Sequence, residues 1–330
     1  LRAPSLGHYH LYGWAHSYFS RKLEAALIFY GASYEFRRKT KENAEELRRR
    51  SGTHQVPVLH TPENWMIADT TPLLRMLDHR FSDRRMFPDA ESGVLVHLLE
   101  SYFDEWISRT MVHWRWHYEE NHELLSLDAT DQDPEAAAFL VRWGAKVRRV
   151  LGVDSAIQQE AVEAEFHRIL TAAEAQLQET SFLLGERPTA LDCVVLGGVR
   201  AHFDFDPASR RAVHGRYPTV VEWYKSRADA WDGSGELEAF PASTPFATLI
   251  LTEAKETYQR FSQGNRDARA KGEKAFVIED MYGESVSYLA RPYVETSRQL
   301  LVEHLGGLSP QAKDRVMEWL RGHGLAPLVS

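Results

Sequence analysis

The stretches Val56-Pro57-Val58-Leu59 and Trp65-Met66-Ile67-Ala68-Asp69-Thr70 decide the fold of this chain. They are two short apolar runs separated by a four-residue polar turn, and this spacing predicts a β-hairpin. Pro57 has no N–H to give to a strand ladder and stands between a loop and a strand, so it is a candidate for a cis peptide bond. Asp69-Thr70 stands where a helix begins. We therefore expect a sheet edge at Val56 that pairs with an extended peptide, beside a helix N-terminus that binds a carboxylate.

Outward from this hairpin, hydrophobic spacing and turn residues predict a complete small domain over residues 1–82. Because a helix connects the first two strands, these strands must be parallel. The element order βαβαββα is that of a thioredoxin-like domain. The expected strands are 8–13, 33–38, 56–60 and 65–68, and the expected helices are 17–30, 42–50 and 71–80.

Strand signals disappear after residue 83, and the pattern predicts an all-α domain over 83–232. Gly233-Ser234-Gly235 breaks this pattern and marks a second boundary. The pattern over residues 233–330 predicts a mixed α/β extension. The expected fold class is therefore α/β plus all-α: a thioredoxin-like domain, an all-helical domain and this extension. The expected helices are 92–120, 134–150, 155–180, 189–202 and 217–230 in the second domain and 245–262, 292–305 and 309–322 in the extension, where 276–278 and 286–288 form a hairpin.

Composition and charge argue against several classes of function. The 330 residues carry a net charge of -8, which argues against nucleic-acid binding as the main role because phosphate neutralisation needs a basic face. No apolar run approaches the length of a membrane helix, so we expect no membrane partner. The N-terminus lacks a signal-peptide pattern. The single cysteine, Cys193, excludes an internal disulfide and suits a reducing cytoplasm.

Six stretches of the chain follow a known sequence pattern: Leu11-Tyr12, Ser17 to Leu27, Val56-Pro57, Asp69-Thr70, Pro188 to Asp192 and Tyr217 to Tyr224. Through them, residues 8–232 resemble a soluble glutathione transferase, whereas the tail beyond them does not match the family pattern. This resemblance implies glutathione as co-substrate, a small electrophile as second substrate, and a two-fold homodimer. The alternative is a binding or scaffold protein that keeps the fold without catalysis.

Glutathione chemistry needs a thiolate, and an ordinary thiol has a pKa near 8.5. Lowering that pKa by about two units requires ~2.7 kcal/mol of differential stabilisation. A hydrogen bond from a hydroxyl group, together with the positive end of a helix, can supply a stabilisation of this magnitude. Ser17 stands at the start of the first helix, and the resemblance implies that it contacts the thiol, although Tyr18 follows where many relatives have proline. Ser20, Tyr12 and Tyr18 are the other candidates, and Ser17 alternatively serves only as the helix cap.

The resemblance also assigns the binding of the tripeptide backbone. Val56, held by Pro57, is expected to pair with the cysteinyl main chain. Asp69 and Thr70 are expected to hold the γ-glutamyl end, with the Asp69 carboxylate on the amino group and Thr70 on the carboxylate. A plain helix cap is the simpler interpretation of this pair.

For the glycyl carboxylate, four polar residues are available near the predicted strand. His54 and Gln55 are favoured because they directly precede Val56, and Lys39 and Lys41 are the alternatives.

The segment from Trp106 to His122 is rich in aromatic and histidine side chains. It predicts either an aromatic pocket for the electrophile or ordinary bundle core. His113 and His117 share a helix face and offer a third hypothesis, a metal site, but we expect no metal. Asp192 follows Thr189 in a capping-box pattern, and we expect Cys193 beside it to pack in the core.

Overall fold

The first part of the chain is a four-stranded mixed sheet with three helices. The computed structural model describes residues 7–130 and 133–330. The predicted thioredoxin-like order is confirmed, although the third strand begins only at Val58. The elements are β1 (His8–Gly13), α1 (Tyr18–Tyr30), β2 (Ser33–Arg38), α2 (Lys41–Ser51), β3 (Val58–His60), β4 (Met66–Ile67) and α3 (Thr70–Arg80). The strands lie in the order β2-β1-β3-β4, with only β1 and β2 parallel.

Local sequence fixes both ends of α1. The Ser17 hydroxyl accepts a hydrogen bond from the Ser20 N–H at 3.3 Å and caps the helix. Gly31 ends the helix in the left-handed conformation, with φ 66°. Between these ends, Leu23 and Leu27 are fully buried. The helical face that the spacing predicts is therefore the face that packs into the core.

Helices form the second part of the chain, as predicted. They are α4 (Ala90–Ser101), α5 (Ser108–His117), α6 (Glu119–Ala129), α7 (Pro134–Val150), α8 (Ala156–Glu179), α9 (Ala190–His202), α10 (Pro207–Val213) and α11 (Pro218–Glu222). Within the described residues, no helix is both long and apolar enough to cross a bilayer.

The single helix expected over 92–120 is wrong. A π-helical segment, Tyr102–Ile107, separates α4 from α5, and α5 ends before Tyr118. The wider turn lets Asp104 face α1 while Trp106 donates to the Glu165 carboxylate of α8 at 2.9 Å. Tyr118 then adopts an extended backbone with ψ 120°. The π-helical segment and the end of α5 both depend on contacts with distant parts of the chain. Hydrophobic spacing along the sequence does not predict such contacts.

A capping box starts α9, as predicted. The Asp192 carboxylate accepts hydrogen bonds from the N–H groups of Thr189 and Leu183 at 2.8 and 2.9 Å. Cys193 is fully buried, in agreement with the packing prediction. Further along α9, a Cβ on Gly197 would lie 2.7 Å from the Tyr18 carbonyl oxygen. Glycine at this position therefore permits the close approach of α9 to α1.

The C-terminal extension is a mixed α/β region, as predicted, and packs into the same core as the rest of the chain. The helix expected over 245–262 is two helices that break at Thr257, where ψ is -80°. Phe246 lies against Phe103, with ring centroids 6.2 Å apart. The elements are α12 (Pro245–Glu256), α13 (Tyr258–Ala270), β5 (Ala275–Met281), β6 (Glu284–Leu289), α14 (Pro292–Gly306) and α15 (Pro310–Gly322).

A fully buried ammonium joins the first two parts of the chain. The Nζ of Lys22 in α1 lies 2.6 Å from Glu100 Oε1, 2.5 Å from Asp104 Oδ1 and 3.0 Å from Thr71 Oγ1. Burial lowers the pKa of Lys22, but the two carboxylates outweigh burial and raise it above its ordinary value. Burial raises the pKa of Glu100 to about 7; the charge of Lys22 opposes this shift, and the charge of Asp104 adds to it. This group of four residues is called the Lys22 cluster below.

Glu105 lies next to the Lys22 cluster and makes stability depend on pH. Burial raises its pKa to about 7, from an ordinary 4.5, against the opposing charge of Arg291. Because the folded state holds this proton more tightly, the stabilising contribution is complete below pH 4.5 and is lost as pH rises through 7. Glu105→Gln removes the titration. We expect its free energy of unfolding to match wild type near pH 5 and to exceed it by about 2–3 kcal/mol at pH 8.

Urea denaturation at several pH values between 5 and 8 measures this difference. Glu179→Gln, a change at an exposed position of α8, is the matched control and should follow wild type throughout. A difference between Glu105→Gln and wild type that stays constant with pH would contradict the prediction.

Candidate functional site

Three segments that are distant in the sequence meet at one end of the sheet. Tyr12 pairs with Val58, and Leu59 pairs with Ile67, both in antiparallel register. In antiparallel pairs, the residues after one strand lie beside the residues before its neighbour. The loop after β1, the residues before β3 and the residues after β4 therefore converge. These are the three segments in which the sequence predicts the binding residues.

The main chain at Val56 is open. The Val56–Pro57 peptide bond is cis, as the sequence suggested. Pro57 is buried and Val56 is half-buried. Within residues 7–130 and 133–330, neither the N–H nor the C=O of Val56 has a hydrogen-bond partner. Both groups are available to pair with the backbone of an extended peptide.

Asp69 has an uncommon backbone conformation at the start of α3. It is the N-cap residue, with φ 72° and ψ 107°, and its side chain makes no cap hydrogen bond. Strained non-glycine residues of this kind concentrate at ligand-binding sites. The next residue, Thr70, is the first of the helix and is buried. The N–H groups of the first turn can bind an anion, although the Thr71 N–H also interacts with the Asp69 carboxylate and lowers its pKa.

The surroundings of Asp69 are short of positive charge. Burial and the nearby Asp104 raise the pKa of Asp69, and Lys22 opposes them. Lys22 already forms ion pairs with the carboxylates of Asp104 and Glu100. A ligand ammonium beside Asp69 would therefore find an incompletely neutralised carboxylate.

Ser17 lies where a thiol donor is expected. Its oxygen accepts from the Ser20 N–H, which leaves the hydroxyl proton free to donate to a ligand. The side chain is half-buried at the N-terminus of α1. The cap and the thiol donor are therefore compatible roles for this serine.

Tyr12 lies on the other face of the sheet from α1. Along β1, Tyr9 and Leu11 are fully buried in the core with α1, so the alternating pleat turns Tyr12 to the opposite face. There its hydroxyl accepts from Arg37 Nη1 at 3.2 Å. This placement favours Ser17 over Tyr12 as the thiol donor.

Ser20 and Tyr18 are enclosed, which argues against both as thiol donors. Ser20 is fully buried, and its Oγ accepts from the Trp14 N–H at 3.2 Å. Tyr18 is buried, and its hydroxyl donates to the Phe103 carbonyl at 3.3 Å. Ser20 thus holds the loop after β1, and Tyr18 holds the π-helical segment. Helical spacing gave no indication of this, because both residues lie within the first turn of the helix.

The residues before Val56 are exposed, and one of them contacts the extension. Lys39 donates to the His54 carbonyl, so Lys39 and His54 lie together, as a site for a carboxylate would need. Gln55 accepts a hydrogen bond from the Tyr293 hydroxyl at 3.0 Å. Tyr293, at the start of α14, thus borders the candidate site, and the sequence analysis did not predict this contact. No local pattern could find it, because the two residues are 238 positions apart.

A buried arginine fixes the loop after β1 to the helical part. Arg115 Nε lies 3.0 Å from Asp206 Oδ2, and its guanidinium also donates to the His16 carbonyl. His202 shares Asp206 at 2.7 Å, and burial lowers the pKa of His202 to about 4. The His16 ring packs on Phe205, with centroids 4.2 Å apart. These residues hold the backbone that carries Ser17.

The aromatic segment is core rather than an open pocket wall. Trp106, Trp114 and Trp116 are all buried. The rings of His113 and His117 stack with centroids 4.8 Å apart. His113 Nε2 lies 2.8 Å from Glu163, and His117 Nδ1 lies 3.1 Å from Arg148. An arginine at this distance does not favour a cation between the two histidines.

The sequence matches two family models in the regions that form this site and its neighbouring helices. Residues 11–85 match the glutathione S-transferase N-terminal domain, and residues 156–226 match the glutathione S-transferase C-terminal domain. This chain belongs to the glutathione transferase family. No curated protein matches it.

Solved structures that resemble this glutathione transferase family member are distant from it. A glutathione S-transferase from Rhodospirillum rubrum F11 is 20% identical and has a TM-score of 0.44, with 73% of this chain and 99% of that chain covered. A glutathione S-transferase from Methylobacterium radiotolerans, in complex with glutathione sulfonate, is 16% identical with a TM-score of 0.44 and covers 68% of this chain and 92% of its own. A glutathione S-transferase domain-containing protein from Marinobacter aquaeolei VT8 has the same identity of 16% and TM-score of 0.44, with 68% and 98% covered.

We expect the charge of the strained, half-buried Asp69 to lower the stability of the fold while it favours ligand binding. Asp69→Asn keeps the side-chain shape and tolerates the left-handed backbone, but it removes the charge. Because the folded-state pKa of Asp69 is raised, its carboxylate stabilises the fold less as pH rises. At pH 7.5 we expect Asp69→Asn to unfold at a higher temperature than wild type. The exposed Asp83→Asn is the control, and a lower melting temperature for Asp69→Asn alone would contradict this account.

Proposed function

We propose that this chain binds glutathione across the Val56–Asp69 end of the sheet and adds its thiolate to a small electrophile. The open main chain of Val56 beside the strained Asp69 is the observation that carries the proposal. The cysteinyl backbone pairs with Val56. The γ-glutamyl carboxylate binds the first turn of α3 at Thr70, and its ammonium binds Asp69.

Ser17 supplies the chemical step in this proposal. Its hydroxyl donates to the sulfur, and the N-terminus of α1 adds a favourable partial charge. A shift of about two pKa units, which is ~2.7 kcal/mol, converts a mostly protonated thiol into thiolate near neutral pH. The proton leaves to solvent, and the sulfur lone pair forms the new bond to the electrophilic carbon. The displaced electron pair leaves with the halide of an aryl halide, or moves onto the activating group of a conjugated alkene. Isomerisation or reduction would use the same thiolate.

The other end of the tripeptide reaches the residues before Val56. Lys39, His54 and Gln55 are exposed or half-buried there and surround the expected glycyl carboxylate. Burial lowers the pKa of Lys39 below its ordinary value, and a bound carboxylate would oppose that shift. The Lys39 ammonium is therefore the strongest partner for this carboxylate in the proposal.

The second substrate would enter beside the loop after β1. Trp14, His16 and Phe205 form a continuous aromatic group next to Ser17, with the His16 ring 4.9 Å from Trp14 and 4.2 Å from Phe205. His16 also lies 3.2 Å from Asp128 of α6. This group, rather than the buried tryptophans of α5, offers the flat apolar contact that an electrophile needs.

Ser17→Ala tests the role in catalysis. Without the donor, the thiol pKa should return towards 8.5, so turnover of an activated aryl halide at pH 6.5 should fall by about 10–50-fold. The loss should shrink as pH rises to 9, because the thiolate then forms unaided. Tyr12→Phe is the matched control and should keep the wild-type rate. Steady-state kinetics over this pH range give the result.

Calorimetry with glutathione tests binding separately. Asp69→Asn should weaken binding by about tenfold or more, since it removes a charge-assisted contact, whereas Ser17→Ala should change it little. Binding without turnover in wild type would favour the non-catalytic alternative. Absence of heat with millimolar glutathione would overturn the proposal itself.

A cytoplasmic two-fold homodimer completes the proposal. The extension already covers part of α3 and α4: Arg75 donates to the Leu300 carbonyl, and Arg315 pairs with Glu91 at 2.6 Å. A second copy would therefore meet the extension or surfaces away from it. Light scattering on the purified full chain distinguishes one copy from two.

A further inference from the structure

Four metal-binding side chains share one face of the sheet, away from the proposed glutathione site. His8 and His10 lie two residues apart on β1, so their side chains point to the same face. Glu35 of β2 pairs with His10 in parallel register, and His60 of β3 pairs with His10 in antiparallel register. Paired residues project to the same face, so the fold assembles this group from three strands.

The distances suit a metal ion. One ligand atom from each of His8, His10 and Glu35 lies within 4.8 Å of the others. A tetrahedral ion with bonds of about 2.1 Å needs ligand atoms about 3.4 Å apart, so small side-chain rotations close the site. His10 Nδ1 already lies 3.3 Å from Glu35 Oε2. The same Nδ1 atom is buried without a hydrogen-bond partner among the described residues.

Neighbouring polar groups orient two of the imidazoles. His8 Nδ1 lies 2.8 Å from the Ser33 hydroxyl, which leaves Nε2 for a metal. His60 Nε2 lies 2.8 Å from Asn64 Oδ1, and the His60 ring lies 5.6 Å from the His10 ring, beside the three ligands rather than among them. Contacts of this kind from outside the ligand set fix ring orientation in metal sites.

Arg37 is the cation that competes for this site. Its Nη2 lies 2.6 Å from Glu35 Oε2, and its side chain is 39% exposed. An exposed ion pair of this type contributes little to stability, so it can give way to a divalent ion. Arg37 can still donate to the Tyr12 hydroxyl after Glu35 has turned to a metal.

We propose that His8, His10 and Glu35 form a binding site for a divalent transition metal, with Zn²⁺ as the expected ion. Imidazole nitrogens with one carboxylate are the ligand set that Zn²⁺ accepts. A bound ion joins β1 to β2 and stabilises the folded state by mass action. The site is independent of glutathione, since its ligands lie on the sheet face outside the proposed groove.

Equilibrium dialysis of the chelator-treated full chain against ZnCl₂, with elemental analysis, tests the stoichiometry. We expect one Zn²⁺ per chain at micromolar concentrations and a higher melting temperature with zinc than without it. His10→Ala should weaken binding by at least tenfold. His79→Ala, at an exposed position outside the group, is the matched control and should bind as wild type does.

Arg37→Gln distinguishes a specific metal site from non-specific binding of zinc to surface histidines. Removing the competing cation should tighten zinc binding several-fold, while Glu35→Gln should weaken it. Cobalt substitution should give visible absorption bands in wild type that His10→Ala lacks. Circular dichroism checks that each variant is folded.

The proposal is overturned if His10→Ala binds zinc as tightly as wild type, or if His117→Ala abolishes binding instead. Absence of bound zinc in wild type also overturns it. None of these outcomes bears on glutathione binding, because calorimetry with the metal-free protein measures that separately.

Discussion

The Lys22 cluster is the constraint on which the arrangement of the site depends. One ammonium, removed from water, bonds to α3 through Thr71 and to the helical part through Glu100 and Asp104. A buried charge without partners is far more costly than a paired one, so these contacts must form together. They hold the start of α3 against α1. The two helix N-termini at the site, at Ser17 and Thr70, therefore keep a fixed relation.

Main-chain geometry matters more than side-chain chemistry in this site. The open N–H and C=O of Val56 and the left-handed backbone of Asp69 are properties of the chain path. The antiparallel register of β1, β3 and β4 brings them together. Side chains then add charge at Asp69 and a hydroxyl donor at Ser17.

The extension is part of the same folded body rather than an appendage. Its hairpin reaches α5 and α8, where Arg109 lies 5.9 Å from the centre of the Tyr282 ring and the Tyr282 hydroxyl donates to Glu165 at 3.4 Å. Its helix α14 packs along α4 and brings Tyr293 to Gln55. Residues far beyond the family-matched regions thus contact the margin of the candidate site.

The sequence by itself determined the features that depend on neighbours in the chain. Apolar spacing predicted the βαβαββα order, Ser17 indicated the start of α1, and the Thr189–Asp192 pattern indicated the start of α9. Each depends on hydrogen bonds or packing within about one helical turn, or on strands joined by short connections. The family resemblance added the candidate binding residues around Val56 and Asp69.

Only the tertiary structure decided which candidates are open and which are enclosed. Ser17 and Ser20 are equally plausible helix-start residues in the sequence, but a loop covers Ser20. Lys22 and Asp104 are 82 positions apart, and Tyr293 and Gln55 are 238 apart. His8, His10 and Glu35 meet only because β1 and β2 are in register. Contacts of this kind depend on how whole elements pack, and local patterns carry no record of that packing.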